Sequence, residues 1–387
     1  MIIAANSIVY DPRIGKIARS LKRKYSIVAL GWNREGLSST LVQEYTIGLD
    51  LLKMKAPFNK PSLMIYFPLF WIWVIIKLFV YKPKVIHACD LDTLLPSYFY
   101  KLIFRRALVF DVFDRYAGLI PVKFRALSSI VNLFEEFLAK KANVLITVSN
   151  RVLETFRRKP KHCVIIMNCS EDYGIQSSNA KTSKQDIDYD KGDNSKDKFT
   201  LVYTGAIYPN LGLEVVIAAI KDLKDVQLVL AGRVIDEEFL NQILVTPNVK
   251  YKGLLQYRDA LSLEANSDAL VVLYNLKYSK NALSSPNKIF EAMMCGIPVI
   301  TNMEKELVND EVVCGITVDY DDINQIKSAI SYLKDDTELR KKLGDNGRKA
   351  FEKKYNWTNM EEKLYKIYGN LLQDKSFPTQ DNRDTDS

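Results

Sequence analysis

One stretch constrains the fold more than any other: Ser284-Ser-Pro-Asn-Lys-Ile-Phe-Glu-Ala-Met-Met-Cys-Gly-Ile-Pro-Val-Ile-Thr301. It reads as a helix set between two buried strands. Ala269 to Tyr274 before it and Ile297 to Thr301 at its end are short, β-branched-rich apolar runs. Ser285 stands where an N-cap belongs and Pro286 where the first helical residue belongs. Gly296 ends the helix, and Pro298 prevents its resumption. The result is a βαβ unit whose helix opens at the carboxyl end of a strand. Free N–H groups and the positive dipole end make such a terminus an anion site. Asn287, Lys288 and Glu291 share one face of the first turns. Lys288 adds a cation for the anion, and Glu291 can accept the paired hydroxyls of a ribose, so the unit reads as a nucleotide diphosphate cradle. An ordinary crossover helix with an exposed Lys–Glu ion pair is the other reading of the same spacing.

The rest of the chain repeats this alternation. Strand patterns at 1–6, 26–32, 85–89, 107–113, 143–148 and 163–167 are separated by helical ones. The scheme recurs with strands near 200–206, 226–231, 269–274 and 297–301, followed by helical patterns at 321–334, 337–354 and 358–372. Alternation of this kind predicts parallel sheets covered on both faces. At 387 residues the chain exceeds what one core usually supports. The expected architecture is α/β, with two doubly wound Rossmann-like domains facing across a cleft where ligand binds. The expected boundaries are 1–173 for the amino-terminal domain and 199–372 for the carboxyl-terminal domain, which the family resemblance given below makes the acceptor side and the donor side. Between them, 174–198 is rich in Ser, Asp, Lys and Asn and reads as a flexible linker or insertion; 373–387 reads as a disordered tail.

Charge separates the two halves. Residues 1–170 carry 26 Lys and Arg against 11 Asp and Glu, a net +15; the remainder carries 28 against 35, a net −7. A basic half beside an acidic one suggests that the first faces something anionic. No nucleic-acid motif accompanies the charge, which leaves an anionic membrane surface as the expected partner. Leu63 to Ile76 is a fourteen-residue run without a charge, flanked by Lys53, Lys55 and Lys60 and by Lys77, Lys82 and Lys84. It is short for a bilayer span, and a span here would split one sheet across the membrane. A buried domain helix and a helix lying in the membrane interface both remain, and the flanking lysines favour the second. Five cysteines without a CxxC pair read as buried reduced thiols, and two histidines argue against a His-based metal centre. With no basic leader before the first strand, a cytoplasmic protein on the cytoplasmic membrane face is expected.

Further candidates lie at strand ends. Gly205, directly after a strand, allows backbone N–H groups to approach a phosphate. Arg233, in Leu230-Ala-Gly-Arg-Val234, is the candidate for a second cation. In the first half, Ile86-His-Ala-Cys-Asp-Leu-Asp92 and Phe110-Asp-Val-Phe-Asp-Arg-Tyr116 each end a strand in carboxylates, which makes Asp90 and Asp114 catalytic candidates. Helix capping is the competing reading for Asp92. Arg13, with Lys16 a turn later, could meet a ligand phosphate; surface solvation is the alternative reading for Lys16.

Pro286-Asn287-Lys288-x-Phe290-Glu291-x-Met293-x-x-Gly296-x-Pro298-Val299 resembles the donor-site signature of retaining family 4 glycosyltransferases with the GT-B fold. Asp11-Pro12-Arg13, Gly31-Trp32-Asn33-Arg34, the His87-to-Asp92 stretch and Asp111-x-x-Asp114 resemble that family's amino-terminal domain. The resemblance implies transfer of a hexose-type sugar from a nucleotide diphosphate donor, with retention, to a lipid-linked or polysaccharide acceptor. It gives Glu291 the ribose and implies no metal and no cofactor. The chain departs from the pattern at Leu283, where the first Glu of an E-x7-E pair is expected. It departs again at Ala206 and Leu211, where diphosphate-binding cations are expected, and at Phe113, where a His is common. These departures keep open a second reading, a non-catalytic GT-B-like partner that binds nucleotide or lipid and supports another transferase. A nucleotide-sugar epimerase of the same fold is a third.

Overall fold

A computed structural model of the chain describes residues 1–373 apart from 7, 9–10, 35, 37–47, 58–60, 121, 178–197, 278–286 and 306. Most of the expected linker, the tail, and the cap positions Ser285 and Pro286 therefore lie outside the described residues. The chain forms two compact units, Met1–Met167 with Met360–Ser387, and Asn168–Asn359.

The first unit is built on seven strands: β1 Ile2–Ile3, β2 Val28–Trp32, β3 Gly48–Leu52, β4 Val85–Cys89, β5 Ala107–Val112, β6 Val144–Thr147 and β7 His162–Ile165. They lie in the order β3-β2-β1-β4-β5-β6-β7, and every pairing is parallel. β4 and β5 are buried at every position, as strands covered on both faces must be. The direction of winding reverses between β1 and β4.

The second unit carries β8 Phe199–Thr204, β9 Val226–Ala231, β10 Val249–Tyr251, β11 Ala269–Val272, β12 Val299–Thr301 and β13 Gly315–Thr317. Its order is β10-β9-β8-β11-β12-β13, again all parallel, and winding reverses between β8 and β11. In sheets wound this way, ligands bind beyond the strand carboxyl ends at that reversal.

Three edge strands, β3, β10 and β13, escape the sequence pattern. Each pairs on one side only and is short, glycine-led or interrupted by a charged residue, so it lacks an apolar run. The last helix, Trp357–Gln373, also departs from expectation, because from Met360 onward it belongs to the first unit. Tyr368 on that helix hydrogen-bonds His87 Nδ1 at 2.9 Å inside the first core, and Glu361 pairs with Arg23 at 2.9 Å.

Residues 67–81 form one helix, Phe67–Tyr81, fastened on one side and bare on the other. Phe70, Val74 and Leu78, each one turn apart, are buried; Phe70 stacks on Trp32 at 5.1 Å. Trp71 Nε1–H donates to the carbonyl of Asp92 at 2.6 Å. Leu69, Ile72, Ile76 and Val80 are exposed. Among the described residues no helix is long and apolar enough to cross a membrane. All five cysteines are free, four of them buried and Cys163 half-buried.

Candidate active site

In the second unit the candidate site lies at the reversal between β8 and β11. β8 ends at Thr204 and is followed by Gly205, whose φ is +154°. β9 ends likewise before Gly232, at φ +141°. The two turns touch: a Cβ on Gly232 would lie 1.8 Å from the carbonyl oxygen of Gly205, so no side chain fits there. Gly205 N–H donates to the Ala231 carbonyl at 2.9 Å, locking the two strand ends together. Arg233 follows this contact and is exposed.

The helix Asn287–Cys295 carries Lys288 in its first turn. Lys288 Nζ lies 3.1 Å from Glu264 Oε1 and 2.5 Å from Glu291 Oε2. Glu264 comes from the helix Tyr257–Ala265 and is fully buried. Its Oε1 also accepts from the Thr204 hydroxyl, while Oε2, equally buried, has no hydrogen-bond partner among the described residues. The other oxygen of Glu291 accepts from the Tyr257 hydroxyl at 3.0 Å. Two carboxylates thus share one ammonium in a largely buried setting. Burial, with Glu291 nearby, pushes the Glu264 carboxyl up to about 7 even though Lys288 opposes it. For Lys288 burial acts downward, but the two carboxylates outweigh it and hold the amine above its ordinary value. The alternative reading, an exposed i,i+3 ion pair, does not describe these side chains: they form a largely buried clamp that Glu264 completes. Glu264 and Tyr257 were not legible as members of the site. Asn287 sits half-buried beside the clamp.

A separate open depression of about 500 Å³ lies beyond β11, β12 and β13, lined by residues that include Asn275, Asn302 and Tyr320. None of the expected donor residues among those described lines it.

In the first unit the structure reassigns one expected residue. Arg13 is buried, with Nη2 2.8 Å and Nε 3.2 Å from the two oxygens of Asp111 and Nη1 2.8 Å from the Ile166 carbonyl. His87 Nε2 meets the same Asp111 carboxylate at 3.2 Å. Burial raises the Asp111 carboxyl, but Arg13 and His87 overcome it and hold it below its ordinary value. The expected phosphate contact of Arg13 gives way to a core network, since its fork is already matched to a carboxylate. Lys16 is buried as well.

Asp90 adopts φ +63°, a conformation non-glycine residues seldom take, and its Oδ1 accepts from the backbone N–H of Phe113 at 2.8 Å and of Asp114 at 3.3 Å. Its carboxylate therefore pins the turn that presents Asp114, whose side chain is exposed. Burial and the neighbouring Asp92 push the Asp90 carboxyl well up. Asp92 does not act as a simple cap. Its Oδ2 accepts from the Tyr116 hydroxyl at 2.5 Å, and burial raises it to about 6. Among the described residues no group of three or more His, Cys, Asp or Glu is placed to hold a metal ion.

Residues 184–350 match the family model described as glycosyl transferases group 1. The chain is a glycosyltransferase of the GT-B fold. It is 25% identical over 302 residues to an uncharacterized glycosyltransferase of Methanocaldococcus jannaschii, a match covering 73% of each chain. It is also 28% identical over 149 residues to a Corynebacterium glutamicum protein, the GDP-mannose-dependent monoacylated alpha-(1-6)-phosphatidylinositol monomannoside mannosyltransferase. That match spans 37% of this chain and 39% of the relative. Among solved structures, Anabaena HepE in complex with UDP-glucose superposes with a TM-score of 0.71 at 16% identity, over 95% of this chain and 98% of that one.

Proposed function

We propose that the protein moves a hexose-type sugar from a nucleotide diphosphate donor to a lipid-linked or polysaccharide acceptor, with retention at the anomeric carbon, as a family 4 enzyme does. The observation that carries this reading is the clamp of Lys288 between Glu264 and Glu291 at the start of the helix Asn287–Cys295. That helix follows β11, on one side of the winding reversal, and the glycine turn Gly205 follows β8, on the other. Helix N-terminus, glycine turn and Lys288 supply positive potential for the diphosphate, with Arg233 as a further cation. Glu291, already oriented by Tyr257, keeps lone pairs free for ribose hydroxyls.

On the acceptor side, Asp114 takes the contact with the acceptor hydroxyl and Asp90 positions it through the two backbone N–H groups it holds. Positive groups stabilise the departing diphosphate without a metal, so transfer should persist in excess EDTA; activity lost with chelator and restored by Mg²⁺ or Mn²⁺ would overturn that part. A lipid-linked acceptor fits the Corynebacterium relative, whose name places its substrate on a phosphatidylinositol. It also fits the exposed face of the helix Phe67–Tyr81, which we assign to the cytoplasmic face of an anionic membrane. The test is a thermal-stabilisation screen of UDP-, GDP-, ADP- and dTDP-sugars, followed by proton NMR of the product anomer. Inversion, or stabilisation by none of the four, would contradict the proposal.

A further inference from the structure

The bare face of the first unit is wider than one helix. Connections β3 to β4, β4 to β5 and β5 to β6 all advance in the same direction across the sheet. Right-handed crossovers therefore place the helices Phe67–Tyr81, Leu91–Phe104 and Arg125–Lys141 side by side on one face of the sheet. Phe79 meets Phe104 edge-on at 5.2 Å, joining the first to the second, and Lys101 donates to the Lys141 carbonyl at 2.6 Å, joining the second to the third.

All three turn apolar side chains outward. On the second, Phe99, Leu102 and Ile103 are exposed, Leu102 by 60%. On the third, Leu127, Ile130, Phe134 and Phe137 form an exposed stripe, Ile130 by 63%, and Leu133 lies beside it. That helix inverts the usual pattern, because its acidic residues Glu135 and Glu136 point inward to Arg115 at 3.2 and 3.8 Å. No acidic residue of the three helices is exposed. Their carboxyl ends share one edge, since each helix runs back along the sheet, and there Lys82, Lys84, Arg105, Lys140 and Lys141 are all exposed.

We propose that the outward faces of these three helices together form a monotopic docking face for an anionic phospholipid bilayer. The proposal rests on the membrane reading above and extends it from one helix to a surface. Scattered apolar residues are normal on a soluble protein, but a contiguous apolar face is not. Its chemistry selects lipid over a second copy of this chain: a cationic rim with no exposed acid on the face complements lipid phosphate and repels itself. Side chains of Phe99, Ile130, Phe134 and Phe137 enter the headgroup and upper acyl region, while the rim lysines and arginine lie along the phosphates.

The experiment is co-sedimentation with vesicles of phosphatidylcholine alone and of phosphatidylcholine with phosphatidylglycerol at 3:1. Three proteins are compared: wild type, the triple variant Ile130→Gln/Phe134→Gln/Phe137→Gln, and Lys140→Glu/Lys141→Glu. Because all substituted residues are exposed, far-UV circular dichroism and donor-induced thermal stabilisation should match wild type. Wild type should sediment with the anionic vesicles; the triple variant should partition at least tenfold less, and the charge variant should lose its preference for phosphatidylglycerol. A triple variant that sediments like wild type confines docking to Phe67–Tyr81 and overturns this proposal while leaving the membrane reading intact. Wild type remaining in the supernatant with both vesicles overturns both. A wild-type dimer in light scattering that the triple variant dissolves would make a second copy the occupant and overturn it as well.

Discussion

Lys288 Nζ lies 3.1 Å from Glu264 Oε1, across 24 residues of chain and between two different helices. This contact turns a common crossover helix into an electrostatic device. With Glu291 as a second carboxylate on the same ammonium, the cluster carries more negative than positive groups in a place nearly closed to water. A bound diphosphate adjoining it would add charge that Lys288, the helix terminus and the glycine turns must balance. Protonation of Glu264 relieves part of that load, which its raised value near 7 makes available at neutral pH.

The Glu264 carboxyl has a folded-state value of about 7 against an ordinary 4.5. The native state therefore binds this proton more tightly than the unfolded chain does. Its contribution to stability is full below about 4.5 and is lost as pH rises to about 7. Glu264→Gln keeps the shape and removes the titration. The melting temperature of wild type minus that of the variant should fall steadily across that window and then level off. A difference that stays flat from pH 4.5 to 8 would contradict the burial assigned to Glu264.

Arg13 answers to stability rather than to substrate. Arg13→Met leaves Asp111 buried and short of its main counter-charge, a change that costs about 3–5 kcal/mol when one partner of a buried pair is removed. Urea unfolding should show that loss, while the folded variant keeps its nucleotide affinity. A stable variant with weakened donor binding would return Arg13 to a phosphate.

Gly232→Ala should be destabilising by about 2–4 kcal/mol, because the added carbon meets backbone rather than a movable side chain. A lower urea midpoint with an unchanged slope is the expected reading. An unaffected midpoint would mean that the turns of Gly205 and Gly232 do not touch in solution.

The central strands and both winding schemes were legible because doubly covered parallel strands leave continuous apolar runs, as Val85 to Cys89 and Ala107 to Val112 do. Edge strands such as Val249–Tyr251 were not, since pairing on one side leaves no such run. Lys288 and Glu291 could be read from spacing on one helix. Glu264 and Tyr257 could not, because they sit on a different helix and carry no spacing signal that ties them to it. The same reason hid the partnership of Arg13 with Asp111, 98 residues away, and the return of the final helix to the first unit. The apolar run at 63–76 showed that a helix there would be unusual, but not which of its sides is covered; that depends on Trp32 and Asp92 arriving beneath it.

The measurement that bears most directly on the whole account is calorimetric titration of UDP, GDP, ADP and dTDP into wild type and Glu291→Gln. The substitution keeps the contacts to Tyr257 and Lys288 within reach while removing the charge that the proposal gives to ribose recognition. A hydrogen bond to a charged group contributes about 1.5–3 kcal/mol, so the nucleotide that binds wild type should bind the variant roughly 10- to 150-fold more weakly. Equal affinity in a variant that melts as wild type does would place the nucleotide elsewhere and contradict the assignment of the helix Asn287–Cys295 as the donor site.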